Sequence, residues 1–314
     1  MRGQVFTAGG DMRELPGLLS WEVVHTGGVP CDSFSAEFPY DGSLAECLRT
    51  AAQFAAVENG KTLLRGIVDQ YSVSLGPDGL TASISGRGMA ALLLDNESLS
   101  LTYQDATLAE IIRQHVTPCG VPVKEAAGIR AGSVYTVAAG SSQWKALEGF
   151  CRAYGGFVPQ FTPAGELLAA PEREGKRFLL EKSAPILSCT FREDHYGVVT
   201  EALVIDKKRN ASYSVKNEER TALGGKCRRV IYTPGQSTWD AMRYTGEYQI
   251  QRSKEEEKAL VVRLPGSFLA YPGDIATVNL PKIGVKGEFR VAEAENAFSP
   301  GKGAAATLTL KERG

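Results

Sequence analysis

The chain has 314 residues, with 35 Lys and Arg against 36 Asp and Glu, a formal charge of -1 and 43% apolar side chains. That length excludes a small stapled domain, and the even charge argues against the clustered cationic excess by which duplex DNA is usually held. No apolar run approaches the roughly 20 residues that span a bilayer, so no transmembrane helix is expected. The first residues, Met1 to Asp11, lack the apolar stretch of a signal peptide, and the chain is expected in the cytoplasm at synthesis. Cys31, Cys47, Cys119, Cys151, Cys189 and Cys227 stand without a close pair, and His25, His115 and His195 lie far apart. Neither a zinc site nor a redox motif is expected, and most of the thiols are predicted to be small buried hydrophobes.

Residues 1–98 read as β structure. Phe34, Ala36 and Phe38 alternate with Ser33, Ser35 and Glu37, the period of a half-buried strand. Asn59-Gly60 suits a type I′ turn and predicts a hairpin of about Ala51 to Glu58 with Lys61 to Leu75. Tyr71, Val73 and Leu75 then alternate with serines up to Gly76-Pro77-Asp78-Gly79, beyond which Leu80, Ala82 and Ile84 form the second arm of another hairpin. Short antiparallel strands must close or pack to protect their edges, which predicts a small barrel. Ser43-Leu44-Ala45-Glu46 has the spacing of a capping box and predicts a helical turn between strands.

Over residues 99–171 the period changes. Thr107-Leu108-Ala109-Glu110 is a capping box, and Leu108, Ile111, Ile112, His115 and Val116 share one helical face before Pro118 and Gly120. A short strand is expected around Val134 to Ala138. Ser142 is placed to cap a second helix carrying Trp144, Leu147, Cys151 and Tyr154, with Gly155-Gly156 as its stop. A hairpin of Phe157 to Phe161 with Glu166 to Ala170 completes a small α+β module.

Strands return at Ile186 to Arg192, Val198 to Asp206, Ala259 to Leu264, Ile275 to Leu280, Glu288 to Ala297 and Ala304 to Leu310. Residues 172–206 plus 259–314 thus predict a second barrel. The charged segment 207–258 interrupts it as an inserted α/β segment with one helix, where Trp239, Met242, Gly246 and Ile250 share a face. The fold class expected is α+β and β-dominated, with two similar small antiparallel β-barrels carrying α+β insertions.

The search for chemistry yields no catalytic, cofactor-binding or metal-ligating residue. Ser85-Gly86-Arg87-Gly88-Met89 lacks both the glycine spacing and the Gly-Lys-Ser/Thr ending of a phosphate loop, and is read as a strand exit. Ala139-Gly140-Ser141-Ser142-Gln143 lacks the second glycine of a nucleophile elbow, so its serines are read as helix caps. Glu193-Asp194-His195 is the densest acidic constellation but falls in a predicted turn, where solvated groups are the rule. His115 is expected to pack, not to act as a base. Lys207-Lys208-Arg209 and Lys226-Cys227-Arg228-Arg229, with Tyr213, Tyr232 and Tyr244 nearby, have the look of a single-strand binder, offset by Glu218-Glu219 and Glu255-Glu256-Glu257. Trp144 and Trp239 are expected to be core or interface anchors, and Tyr271-Pro272-Gly273-Asp274 a fixed turn.

Taken in order, these residues resemble a family. Gly66-Ile67-Val68-Asp69, then Ile84-Ser85-Gly86-Arg87-Gly88 through Leu92-Leu93-Leu94-Asp95-Asn96, look like the baseplate hub proteins of contractile phage tails, the late control protein D and Mu tail hub group. Tyr135-Thr136-Val137, Gly140, Trp144, Phe150-Cys151 and Gly155 are similar to that family's middle module, and Tyr271-Pro272-Gly273-Asp274 with Phe289-Arg290-Val291 to its last barrel. Within that group the chain resembles the hub proteins of defective prophages and phage-tail-like bacteriocins of Gram-positive bacteria. The resemblance implies a non-enzymatic virion structural protein, a homotrimer whose two barrels per chain build a pseudo-sixfold ring between tail tube protein and spike protein. It also implies tape-measure and other baseplate proteins as partners, no membrane, no cofactor, no tight nucleic-acid binding, and a passage from host cytoplasm to the tail baseplate. The rival readings are a peptidoglycan-cleaving cell-wall hydrolase and a wall-binding module using aromatics such as Tyr154 and Trp239.

Overall fold

The computed structural model describes residues 1–314 except 28–30, 78, 133, 172–173, 234–238, 256 and 313–314. Residue 78 of the expected Gly76–Gly79 turn and Glu256 of the acidic run therefore lie outside the described residues. Strand makes up 49% and helix 19%, the β-dominated α+β class that was expected. The chain folds as two units, one of Met1–Gly175, Leu264–Gly273 and Glu293–Thr307, the other of Lys176–Arg263, Asp274–Ala292 and Leu308–Gly314.

The first unit begins with β1 (Arg2–Thr7), β2 (Met12–Glu14), β3 (Ser20–Thr26) and β4 (Ser33–Pro39). The short helix α1 (Ala45–Arg49) then leads into β5 (Ala51–Glu58), β6 (Lys61–Gly76) and β7 (Gly79–Gly88). Phe34, Ala36 and Phe38 are all buried while Ser35 is exposed, as their alternation requires. They pack with Val5, Trp21, Val23, Phe54, Leu64 and Ile84 in one core, where the rings of Phe34 and Phe54 stack at 4.4 Å. Burial of each such side chain is worth about 1.5–3 kcal/mol. Asn59 and Gly60 both take positive φ, 49° and 74°, as a type I′ turn demands. At α1 the expected capping box does not form. Ser43 instead donates to Oδ1 of Asp41 at 2.6 Å, a nearer acceptor that closes a local turn.

The ladder runs β3–β4–β7–β6–β5–β1–β2, antiparallel throughout, with residues 293–298 pairing beyond β3. It does not close into the expected barrel: among the described residues no pairing joins its two ends. β2 has three residues, all exposed, too short and too polar a strand to seal a barrel.

The rest of this unit is the small α+β module. It holds α2 (Ala91–Leu94), β8 (Glu97–Ser98), β9 (Leu101–Tyr103), α3 (Leu108–His115), β10 (Val123–Ala126) and β11 (Tyr135–Val137). β12 (Ser141–Ser142), α4 (Gln143–Phe150), β13 (Gln160–Phe161) and β14 (Leu167–Ala169) follow. Both predicted caps form: the Thr107–Glu110 box at α3 and Ser142, which accepts from the Lys145 N–H at 3.1 Å, at α4. Leu108, Ile111, Trp144, Leu147, Phe150 and Cys151 are buried together. A π turn over Cys151–Gly155 continues α4 to Gly156, whose φ of 70° ends it.

The second unit contains β15 (Arg177–Glu181), β16 (Ser188–Glu193), β17 (Glu201–Asp206), β18 (Ala211–Lys216), α5 (Glu218–Ala222), β19 (Arg228–Tyr232) and α6 (Trp239–Glu255). β20 (Lys258–Pro265), β21 (Ile275–Leu280), β22 (Val285–Ser299) and β23 (Gly303–Glu312) complete the chain. β20 pairs with β16 and β23, and β21 pairs antiparallel with β22 and parallel with β15. The strand expected among those of the second barrel at Val198 to Asp206 forms as β17, but its partners are β18 and β19 in a separate three-stranded sheet. The physical reason lies in α6, whose Met242 and Ile250 are buried and whose Gly246 leaves room for Val215 of β18. A helix with one apolar stripe needs a sheet face to cover it, and Ala202 and Val204 of β17 supply that face. Trp239, expected on the same buried stripe, is 52% exposed and meets Tyr213 and Arg209 at the start of the helix.

Candidate functional site

His195 is 71% exposed in the turn after β16, 3.6 Å from Glu193, while Asp194 pairs with Arg192 at 3.0 Å. His115 is buried and hydrogen-bonded at both ring nitrogens. His25 meets Asp32 at 2.9 Å, and the second Asp32 oxygen accepts from the Thr26 N–H. All six thiols are free, and only Cys151 is buried where most were expected to be, the other five being partly exposed; burial pushes the Cys151 thiol up to about 12, so it stays protonated. Among the described residues no three His, Cys, Asp or Glu side chains are grouped to hold a metal ion.

A cavity of about 100 Å³ in the first unit is lined by His25, Asp32, Trp144, Glu148 and Tyr271, among others. Its two carboxylates are already engaged, Asp32 by His25 and Glu148 by Arg152 at 2.7 Å. No serine, cysteine or lysine lines it among the described residues, so it assembles no activated nucleophile of those types. The glycines of Ser85-Gly86-Arg87-Gly88 lie within β7 and not in a loop. Gly86 faces Val68, Gly88 faces Gly66, and Arg87 is clamped between Asp69 and Asp95 at 2.7 Å from each. That guanidinium, doubly paired with carboxylates, is not free to receive a phosphate.

What remains unsatisfied is a surface. β5 pairs with β6 only as far as Ile67, so from Asp69 to Gly76 the outer edge of β6 has no partner among the described residues. Tyr71 stands opposite Ile84, and Val73 opposite Ala82. Directly paired residues share a face of the sheet. Ile84 and Ala82 are buried in the core, yet Tyr71 is 42% and Val73 44% exposed, and Leu75 at the tip 81%. The apolar face of the sheet thus continues past its own cover as a strip of Tyr71, Val73, Leu75 and the facing Leu80. A free edge bearing such a strip is a template for pairing with another chain. Sequence alternation identified the strand and its apolar face, but nothing local signalled that the face lacks cover.

A second exposed feature lies on the inserted sheet. Residues 207–232 hold eight Lys and Arg against two Glu. The fold brings the basic and aromatic residues together: Lys207 lies 4.3 Å over the Tyr232 ring, Arg209 is 5.9 Å from the Trp239 ring, and Tyr213 tilts on Trp239 at 6.2 Å. Tyr154 belongs to the first unit, where it packs against Tyr135 and Phe150.

No protein-family model matches the sequence, and no curated protein matches it. Solved structures do. The chain is similar to the tail protein from Neisseria meningitidis MC58, with a TM-score of 0.80 and 17% identity over 100% of this chain and 97% of that one. It is equally similar to the 43 kDa tail protein of prophage MuSo2 from Shewanella oneidensis, with a TM-score of 0.81 and 16% identity over 99% and 98% of the two chains. A type VI secretion component from E. coli, c3393, itself described as similar to the T4 tail proteins gp27 and gp5, gives 0.59 and 11% over 95% and 74%. The chain therefore has the fold shared by phage tail proteins and this secretion component.

Proposed function

We propose that the protein is a non-enzymatic baseplate hub of a phage or phage-like contractile tail, a homotrimer closing into a pseudo-sixfold ring that joins tail tube to central spike. The observation that carries this reading is the free edge of β6 with its uncovered strip of Tyr71, Val73 and Leu75, in a chain with the fold of tail proteins. A monomer leaves those main-chain groups and side chains in water, and closure of a ring covers them, so geometry itself drives assembly. Two β-rich parts per chain, residues 1–98 and the strands β15, β16 and β20 to β23, would stand six around a threefold axis. Tube, spike, tape-measure and other baseplate proteins are the partners of such a ring, which moves from host cytoplasm into the virion tail. The formal charge of -1 suits a channel that must let DNA pass without holding it.

The test is the solution mass of the purified chain by light scattering over a concentration series, alone and with spike protein. A mass near three times the monomer is expected, and Val73→Asp with Leu75→Asp should abolish it. A monomer throughout, with spike protein present, would remove the support for the ring.

A further inference from the structure

We infer that the open edge of β19 is a docking strip for an extended, acidic segment of another protein, which adds to it as a strand. β19 pairs in parallel with β17 and with no other strand among the described residues. Its second edge therefore offers main-chain N–H and C=O groups to an incoming chain. The strand is open to solvent: Val230 is 46% and Tyr232 58% exposed, and Arg228 and Arg229 are exposed beside them. The segment 207–232 that contains it carries eight Lys and Arg against two Glu, in a chain whose total is near zero. Arg228 is answered by Glu201, but among the described residues Arg229 has only the Gln249 amide at 3.2 Å, and Lys207 and Lys208 have no carboxylate partner.

Charge decides between the possible occupants. A second copy would bring its own Arg228 and Arg229 against the same cations, and like charges on adjacent strands repel. A polynucleotide answers the charge but has no peptide strand to add. It would also find one face of Tyr232 taken by Lys207, and Trp239 flanked by Arg209 and Tyr213. A peptide strand alternating apolar and acidic residues satisfies both features. Whichever face its carboxylates take, they meet a cation, Lys207 over the Tyr232 ring on one and Arg229 on the other, since alternate residues of β19 point to opposite faces.

The β19 strip shares no residue with the β6 strip, and the proposal does not rest on ring closure. The test is fluorescence anisotropy of the purified full chain with three labelled probes: an alternating Val-Glu decapeptide, its Val-Lys counterpart and a thymidine oligonucleotide. The Val-Glu peptide is expected to bind, and Lys207→Glu with Arg229→Glu to weaken it at least about tenfold, as added salt does progressively. The Val-Lys peptide is expected to stay free. Circular dichroism checks the fold of the variant, and Lys207→Gln with Arg229→Gln carries the same test should the reversal unfold the insert. Equal binding of both peptides, tighter binding of the oligonucleotide, a Val-Glu affinity unmoved by the substitutions, or binding of no probe overturns the proposal. A trimer that ignores the peptide sinks this proposal alone, and a monomer that binds it sinks the ring alone.

Discussion

His115 of α3 donates its Nδ1 proton to Oε1 of Gln143 on α4, across 2.5 Å. The amide oxygen can only accept, because the Gln143 nitrogen donates to the Glu97 carbonyl at 3.0 Å. Nε2 is then left to accept from the Tyr103 hydroxyl at 2.8 Å. A buried imidazole is thus fully satisfied in its neutral form, and the bond ties together the two helices of the module. Gln143→Leu leaves the Nδ1 proton without an acceptor in the core. It is expected to lower the unfolding free energy by about 1–3 kcal/mol, measured from urea midpoints near neutral pH.

The same geometry sets a pH dependence. Burial holds the His115 pKa below its ordinary 6.5, against the opposing pull of the Gln143 bond. Between that lowered value and 6.5 the unfolded chain binds a proton that the folded chain does not. Stability therefore falls as pH drops through this window, levels off below it, and is indifferent to His115 above it. Melting temperatures taken from about pH 7 to about pH 5 should decline less steeply for His115→Asn than for the parent chain. Equal slopes for the two proteins would contradict this account.

The Thr107–Glu110 box predicts a measurable cap. The Thr107 hydroxyl oxygen accepts from the Glu110 N–H at 3.3 Å, and the Glu110 carboxylate accepts from the Thr107 N–H at 2.8 Å. Thr107→Ala should destabilise the chain by about 1 kcal/mol. Ser43→Ala, at the box that does not form, should change it by no more than about 0.5 kcal/mol. The backbone bond that Thr107 gives Glu110 also lowers the pKa of that carboxylate. Its contribution is present above the unfolded value and is lost as pH falls through the folded one.

These two boxes mark where sequence can be read and where it stops. Both have the same spacing, and Thr107, Ser142 and Asn59-Gly60 did what their local chemistry dictates because every partner lies within a few residues. Ser43 fails on a neighbour just as near, Asp41, which outcompetes the helix for its hydroxyl. Long-range choices were not legible. The alternation in β17 fits a barrel strand as well as a strand under α6, and only the partner across the sheet decides. Tyr71, Val73 and Leu75 have the pattern of a buried face, and their exposure depends on how far β5 runs alongside β6.

Gly86 is required by close approach, not by φ. A Cβ there would lie 1.9 Å from the Ile67 carbonyl oxygen and 2.8 Å from the Phe34 ring, where β6 bulges between Val68 and Gln70. Backbone cannot yield as a side-chain end can, so Gly86→Ala is expected to lose at least about 2 kcal/mol. Gly128, whose added Cβ meets nothing within 4 Å, is the control. Gly128→Ala should stay within about 0.5 kcal/mol of the parent. Comparable losses from the two substitutions, in urea unfolding, would refute the steric explanation.

The last prediction concerns Arg220, which is 5% exposed beneath the turn at His195. Its two terminal nitrogens reach Oε1 of Glu257 at 2.9 Å and the His195 carbonyl at 2.6 Å, while Nε has no partner among the described residues. Removing the carboxylate leaves a guanidinium buried without a counter-charge, so Glu257→Gln should destabilise the fold by about 3–5 kcal/mol. Arg220→Met removes the charge and the unpaired Nε together and keeps an apolar stem of similar length. The double variant Arg220→Met, Glu257→Gln is therefore expected to be more stable than Glu257→Gln alone, the order that a desolvated charge dictates and that loss of packing would reverse.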